Sequence, residues 1–228
     1  MRLGITGATG HLGRHLLPRA CAAGHDVVPI GRERPPAGLD AIVHLAAPDH
    51  RDAAAVRAFY DFNVAVRDTG VPVVSAGSWW QVAAGEADAL PYTRLKCWQQ
   101  QDFGRTVILY SVYGHAVRDG RGFIPQLIAH ARGACRLAGA SRQVRDWVHA
   151  DDAADALLAA LDAPRGVYAA CTGAPISPRD LALLATGEDL PDYDEHPACW
   201  PTYPYPTVPG WAPAIDVRDF VRSALEDR

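Results

Sequence analysis

Short apolar runs alternate with longer stretches of helical periodicity over the first part of the chain. Arg2–Thr6 and Asp26–Ile30 are apolar runs that predict strands. Between them, His11–Ala23 carries apolar residues at helical spacing and is followed by Gly24, a common helix terminator. Further along, Pro91 predicts the start of another helix, because a missing amide does no harm at that position. This alternation predicts a doubly wound α/β domain with a mostly parallel sheet.

Three glycines connect the first predicted strand to the first predicted helix. Gly7, Gly10 and Gly13 have the spacing G-x-x-G-x-x-G. Glycines at such a turn let the backbone approach a diphosphate, and the helix offers that anion its N-terminal amides and the positive end of its dipole. The order of strand, turn, helix and strand therefore predicts a dinucleotide site, and a plain strand-to-helix turn is the alternative.

The second predicted strand ends without the carboxylate that would bind an adenine ribose. An acidic side chain there accepts a hydrogen bond from the 2′-hydroxyl and repels a 2′-phosphate. Gly31 and Arg32 occupy this place, with Arg34 close by, and a guanidinium suits bidentate phosphate binding. The pattern favours NADP(H) over NAD(H), and the alternative is that both arginines are solvated loop residues.

A tyrosine and a lysine stand four residues apart in the helix predicted after Pro91. Tyr92 and Lys96 then share one helix face. A nearby ammonium favours the phenolate, so we expect it to lower the pKa of Tyr92. The pair predicts a catalytic acid/base at Tyr92. The alternative is an ordinary surface pair, because this spacing is common by chance.

Composition narrows the range of partners. Of the 228 residues, 49% are hydrophobic and 21% are charged, and the net charge of −4 provides no basic field for nucleic acid or an anionic membrane. The five cysteines are scattered and form no C-x-x-C pair, which fits a reducing cytoplasm. The histidines show no ligand-like spacing, so no metal is expected. No apolar run reaches membrane-spanning length.

These motifs follow one another in an order that resembles a known enzyme family. The chain is similar to the extended short-chain dehydrogenase/reductases, in particular to the NAD-dependent epimerase/dehydratase family that works on nucleotide sugars. The resemblance covers nearly the whole length. The segments that carry it include TGATGHLG (6–13), DAIVHLAAP (40–48), VPVVSAGS (71–78), PYTRLK (91–96), VILYSVYGH (107–115), the segment 140–161 with its RDWVH sequence, and the GWAP element (210–213).

The resemblance implies a Rossmann-type domain over residues 1–228, with a small non-contiguous substrate lobe from about 114–143 and 175–228. It implies an epimerase, dehydratase or ketoreductase that moves a hydride between the nicotinamide and a sugar carbon. Lys96 would also hold the nicotinamide ribose, and Arg145 would bind the diphosphate of the nucleotide sugar. The cofactor residues implied are Gly7, Thr9, Gly10, His11, Leu12, Gly13, Arg32, Leu45, Ala46, Ala47, Tyr92 and Lys96.

Four further positions near this site are open to two interpretations. The catalytic serine is Ser78, beyond the end of an apolar strand, or Ser75, deeper in the same strand, and we favour Ser78. Trp79 forms the floor of the substrate pocket or packs in the core. Asn63 matches a family asparagine near the site and is taken as a substrate-side residue, and the alternative is an exposed helix residue.

The chain departs from the family in length. Only GRERPPAGL (31–39) separates the second strand from DAIVHLAAP, where the family has a further strand and helix. An extended path of ~28 Å exceeds a strand of ~17–20 Å, so this segment can return along the sheet and move sideways by about two strands. We therefore expect the outer strand to be missing and the adenine side of the cofactor site to be open. Tyr110 stands where the family often has arginine, and the short chain implies a reduced substrate lobe.

Two other functions fit the same residues. One is an NADPH-dependent reductase of a small carbonyl compound, without a nucleotide handle on its substrate. The other is a non-catalytic, regulatory dinucleotide-binding module, which the missing strand and helix favour and the Tyr92–Lys96 pair opposes. Members of the family often dimerise through two helices per subunit, and the helix that carries Tyr92 is one candidate surface for a homodimer.

Overall fold

A computed structural model describes residues 1–48, 52–83, 91–114, 122–192 and 200–226. Strands and helices alternate along these residues. The strands are β1 (Arg2–Thr6), β2 (Asp26–Ile30), β3 (Ala41–His44), β4 (Val73–Ser78), β5 (Gly104–Leu109), β6 (Ser111–Tyr113), β7 (Trp147–His149) and β8 (Gly166–Ala170). The helices are α1 (His11–Ala22), α2 (Ala53–Arg67), α3 (Trp80–Ala83), α4 (Pro91–Phe103), α5 (Phe123–Ala131), α6 (Ala150–Ala159), α7 (Pro178–Thr186) and α8 (Val217–Glu226).

Six strands form one parallel sheet in the order β2-β1-β3-β4-β5-β8. Helices α1 and α6 pack together on one face, where the largest group of buried apolar residues lies, and α2 and α4 pack together over the other. The predicted doubly wound fold is confirmed. The strand order reverses between β1 and β3, and a ligand in such a sheet binds at this point, beyond the carboxyl ends of the strands.

Strand β2 lies at the edge of the sheet, as expected from the shortened loop. Residues 31–40 form neither strand nor helix, and they carry the chain from β2 past β1 to the pairing position of β3. Leu39 is buried in this crossing and packs above Gly4, where an added Cβ would lie 2.9 Å from the Leu39 Cδ1 atom. Pro29 lies within β2, a position that proline tolerates at a sheet edge. The prediction that the outer strand is missing is confirmed.

A second group of buried side chains lies beyond the main sheet. Strands β6 and β7 pair in parallel, and α5, α7 and α8 contact one another beside them. The buried residues there include Tyr113, Leu127, Trp147, Leu181 and Val221. The later chain is tied to helix α6 at Asp152: its backbone carbonyl accepts a hydrogen bond from Trp211 Nε1, and its carboxylate accepts one from the amide of Ile215, each at 2.9 Å.

Some predicted boundaries differ from the observed ones. Of the segment DAIVHLAAP (40–48), only four residues form a strand, which ends at His44. The next two amides, of Leu45 and Ala46, donate to the side-chain oxygen of Thr6 in β1 instead of to a backbone carbonyl, which ends the ladder there. None of the described helices has the length and apolar character required to cross a bilayer.

Candidate active site

The glycine turn brings the end of β1 against the residues that follow β3. Gly7 has a φ of +68°, and a Cβ there would lie 2.9 Å from the Ala46 nitrogen. A Cβ on Gly13 would lie 2.3 Å from the Gly7 carbonyl oxygen, so α1 packs too closely for any side chain. Gly10 caps α1 without a side-chain hydrogen bond, and the first turn holds no acidic residue. No side chain of the cap therefore competes with an anion for the first amides of α1.

A cleft of about 550 Å³ lies over this turn. Seven of the implied cofactor residues line it, namely Gly7, Thr9, Gly10, Arg32, Leu45, Ala46 and Ala47. His11, Leu12 and Gly13 lie in the first turn of α1 and do not line it, and Leu12 packs against the main core instead. Phe59 and Phe62 of α2 also line the cleft, although the sequence did not single them out. The glycine backbone and the apolar walls fit a dinucleotide.

A buried polar network supports the floor of this cleft. Thr6 Oγ1 accepts the amides of Leu45 and Ala46 and lies 2.9 Å from His44 Nδ1. His44 Nε2 lies 2.9 Å from Asn63 Oδ1, which also accepts a hydrogen bond from Gln99 Nε2. Burial, followed by the charge of Lys96, lowers the pKa of His44 to about 3, so this ring is neutral at physiological pH.

The directions of the hydrogen bonds in this network follow from the neutral ring. Asn63 Nδ2 donates to the Phe59 carbonyl oxygen, which turns the Asn63 oxygen toward His44. His44 Nε2 therefore carries the proton, and Nδ1 accepts the Thr6 hydroxyl. Asn63 is completely buried, so it holds the floor of the cofactor cleft from behind and is not at the surface of a substrate pocket.

Helix α4 brings Tyr92 and Lys96 to the carboxyl end of β4. The Lys96 ammonium is buried, donates to the Ala76 carbonyl oxygen at 2.7 Å and lies 5.7 Å from the centre of the Tyr92 ring. Tyr92 is hydrogen-bonded to Ser78. Ser75 is fully buried and has Thr106 Oγ1 at 2.8 Å. Of the two candidate serines, the structure brings Ser78 to the tyrosine.

Two hydrogen bonds fix Ser78 just before α3. Ser78 Oγ accepts the amide of Trp80 at 3.4 Å, and Gln81 Oε1 accepts the amide of Ser78 at 2.6 Å. The second bond is the one that the glutamine of a capping box makes with a serine three residues earlier. Gln81 was missed in the sequence analysis, although the S-x-x-Q spacing was a sufficient signal for it.

The expected lowering of the Tyr92 pKa is wrong in direction. Burial raises the pKa of Tyr92 above its ordinary value, and the hydrogen bond with Ser78 offsets only part of that shift. Burial also lowers the pKa of Lys96 to about 8. The Lys96 ammonium donates its hydrogen bond to the Ala76 carbonyl oxygen, and burial of the phenol has the larger effect on Tyr92. Tyr92 is therefore protonated at neutral pH.

The substrate-side candidates lie next to this group. Trp79 lines a small cavity of about 90 Å³ together with Trp80, Tyr110 and Arg145. Trp79 also packs against the buried cluster around Tyr110. It therefore both lines the cavity and packs in the core. Arg145 additionally lines a neighbouring cleft of about 420 Å³ beside α5, and its guanidinium carbon lies 5.9 Å from the centre of the Trp147 ring.

The residue after Arg145 organises the wall of the small cavity. The Asp146 carboxylate accepts the amides of Thr172 and Gly173 at 2.8 Å each and the hydroxyl of Tyr203 at 2.9 Å. Tyr110, which replaces an expected arginine, donates to the Thr202 carbonyl oxygen at 2.5 Å. These bonds hold the chain segment that contributes Pro201 to the cavity.

His149 has a structural contact at the start of α6. Its ring accepts the Asp151 amide at 3.2 Å and so caps helix α6. The Asp151 carboxylate lies 2.7 Å from His15 on α1, which joins the two helices on that face of the sheet. Among the residues that the structure describes, no group of three or more histidine, cysteine or acidic side chains is placed to hold a metal ion.

Comparison with known proteins points to one family. A model of the NAD-dependent epimerase/dehydratase family matches residues 94–170, which run from α4 to the end of β8. The resemblance to the NAD-dependent epimerase/dehydratase family is confirmed. The matched stretch includes Lys96 and Arg145, whereas the glycine turn and Tyr92 precede it.

Curated relatives match a similar share of the chain. Uncharacterised proteins of Mycobacterium tuberculosis and Mycobacterium bovis are 40% identical to it over 79 residues. This match spans 35% of the chain and 8% of each relative, so the chain covers only a small part of those longer proteins.

Solved structures with the same fold match almost the entire chain. MoeE5, in complex with UDP-glucose and NAD, is 22% identical, with a TM-score of 0.72 and coverage of 99% of this chain and 98% of that one. WbmG from Bordetella bronchiseptica, with NAD and UDP, is 21% identical, with a TM-score of 0.73 and coverage of 99% and 93%. RMD from Pseudomonas aeruginosa, with NADPH, is 19% identical, with a TM-score of 0.70 and coverage of 99% and 98%.

The buried charge at Lys96 generates a prediction about stability and pH. The pKa of Lys96 is about 8 in the folded protein, against an ordinary value of 10.5. Between these values the folded state loses its proton first, so the unfolded state binds more protons and stability rises with pH. His44 does not change charge in this window, because burial lowers its pKa to about 3.

Lys96→Met removes the titrating group and keeps the length of the side chain. Urea unfolding of both proteins from pH 7 to pH 10 should show the wild type gaining stability relative to the variant as pH rises above about 8. A difference that stays constant over this range would mean that the folded protein does not lower the pKa of Lys96.

Proposed function

We propose that the chain binds NAD(P) and moves a hydride between the nicotinamide and a sugar carbon of a nucleotide sugar. The observation that carries this proposal is the placement of two sites in one sheet. The glycine cleft lies beyond β1 and β3, and Ser78, Tyr92 and Lys96 meet at the end of the adjacent strand β4. The ligands named for MoeE5 and WbmG support both the cofactor and the substrate class.

Each residue of this group has a role that follows from its contacts. A bound NAD(P) supplies or accepts the hydride. Tyr92 is buried and protonated, so it can donate a proton to a carbonyl oxygen as the hydride reaches the carbon. Ser78 is bonded to Tyr92 and can hold the same oxygen in place. Lys96, fixed by the Ala76 carbonyl, stabilises the phenolate that remains and is proposed to hold the nicotinamide ribose.

Arg145 is proposed to bind the diphosphate of the substrate. It lines both the small cavity near Trp79 and the larger cleft beside α5. A diphosphate lies between the sugar and the nucleoside of a nucleotide sugar, so a guanidinium shared by two adjoining cavities suits it. The elements of the second hydrophobic group, with α5, α7 and α8, then form the substrate lobe.

Tyr92→Phe tests the proton transfer. We expect turnover to fall by about 10² or more, because a general acid/base is lost, while the affinity for NADPH changes little. The assay follows nicotinamide absorbance with UDP- and dTDP-linked keto sugars. Turnover close to that of the wild type would remove Tyr92 from the mechanism. Cofactor binding without turnover in the wild type would favour the non-catalytic module.

A reductase of small carbonyl compounds is a second candidate. The cavity beside Trp79 has a volume of about 90 Å³, which is the volume that about three water molecules occupy in liquid water. A small carbonyl compound fits that volume, whereas a sugar ring extends out of it.

Binding of UDP separates the two candidates. Arg145→Ala should weaken UDP binding by ~1.5–3 kcal/mol, as expected for a lost charge-assisted hydrogen bond. Arg142→Ala is the matched control, because Arg142 is exposed and paired with Asp192 at 2.8 Å. Calorimetric titration of UDP into the three proteins gives the comparison. Absence of UDP binding to the wild type would favour the small-carbonyl reductase.

NADP(H) is proposed as the preferred cofactor, on the evidence of the strand tip. Arg32 lines the cleft and is exposed, so its pairing with a 2′-phosphate should be modest and weakened by salt. Arg32→Ala should bring the affinities for NADP and NAD together, and Arg34→Ala should change them less. Titration of both cofactors at low and high salt measures this. Tighter NAD binding in the wild type, unchanged in Arg32→Ala, would exclude the preference.

A further inference from the structure

We infer that this protein is a net reductase that exchanges its cofactor at every turnover, rather than an epimerase or dehydratase that keeps one cofactor bound. The inference rests on the proposed function and selects one reaction type within it. Its starting point is the shape of the cleft where the adenosine half of the cofactor would lie.

The adenosine side of the cleft has little cover from the residues that the structure describes. With a diphosphate at the start of α1, the adenosine lies over the tip of β2. This strand is the edge of the sheet, and residues 31–34 after it are all exposed. A Cβ added to Gly31 would meet no atom of the described residues within 4 Å, so these residues leave the space above the strand tip open. The crossing chain covers the sheet at Leu39 and leaves this tip exposed.

The nicotinamide side is built differently. Ser78, Tyr92 and Lys96 form a hydrogen-bonded group there, and Lys96 is only 2% exposed. The site thus combines a fixed reaction centre with an open adenosine end. Because affinity for the distal half of a dinucleotide controls its release, the geometry points to rapid exchange at a well-ordered catalytic centre.

The two types of reaction make opposite demands on cofactor exchange. In an epimerase or dehydratase, the hydride removed from a substrate returns to the same molecule. Release of the reduced cofactor before that return would leave a keto intermediate without its hydride donor. In a net reduction, a carbonyl carbon gains a hydride from NADPH and its oxygen gains a proton from Tyr92. The C=O π bond becomes a C–H and an O–H bond, NADP⁺ leaves, and Tyr92 recovers a proton from water.

The protonation state of Tyr92 also favours a net reduction. Burial raises the pKa of this hydroxyl, so the site holds it as an acid that can donate its proton. Reduction begins with that donation. An oxidation that starts the cycle of an epimerase requires the phenolate, which the buried site disfavours.

The test measures release of NADPH from the purified protein. NADPH fluorescence is followed in a stopped-flow instrument after an excess of NADP⁺ displaces it. We expect little nucleotide to copurify and release on the order of 1 s⁻¹ or faster, as for micromolar affinity with ordinary association rates.

A variant of Gly31 links the release rate to the open strand tip. The φ angle of Gly31 is not positive, and the described residues leave space around this position. The Gly31→Phe variant should therefore fold normally. An aromatic ring there can stack on the adenine and should slow release at least about fivefold. Arg222→Phe is the control, since Arg222 lies on α8 and is exposed.

Each outcome has a distinct meaning. Copurified nucleotide that leaves more slowly than about 10⁻³ s⁻¹, a rate typical of nanomolar affinity, would overturn the inference and leave the proposed function standing. Fast release that Gly31→Phe does not slow would also overturn it, because the adenosine would then not lie over the strand tip. If neither NADPH nor NADH binds, the proposed function itself fails.

Discussion

The hydrogen bond from the Lys96 ammonium to the Ala76 carbonyl oxygen fixes helix α4 against strand β4. A buried ammonium needs a partner, and here the partner is a backbone oxygen of the strand that also carries Ser78. Tyr92 lies one turn before Lys96 on the same helix face, so the same contact brings the phenol to Ser78. The geometry of the proposed reaction centre therefore depends on one buried charge.

Helix α4 also connects this centre to the cofactor cleft. One turn after Lys96, Gln99 donates to Asn63, which in turn contacts His44. His44 orients Thr6, and Thr6 holds the two amides that form the cleft floor. Because each of these polar groups is buried, each needs its partner, and the network resists local change. The glycine cleft and the group of Ser78, Tyr92 and Lys96 are thus parts of one polar framework.

The features that sequence patterns predicted are the local ones. The glycine turn, the Tyr92–Lys96 face and the missing outer strand all follow from spacing or from the length of one segment. Features that depend on burial or on distant contacts were not accessible in this way. The direction of the Tyr92 pKa shift depends on how deeply the ring is buried, and the bond from Tyr203 to Asp146 joins residues 57 positions apart. Asn63 was assigned to the substrate site, because sequence does not show that its side chain points into the core.

The most direct test of hydride transfer uses NADPH that carries deuterium at nicotinamide C4. The protein is incubated with this cofactor and a UDP-4-ketohexose, and the product is analysed by mass spectrometry. The account predicts an alcohol that carries one deuterium on the former carbonyl carbon, with one NADP⁺ formed for each product molecule. A reduced product without deuterium, or no product although both ligands bind, would contradict it.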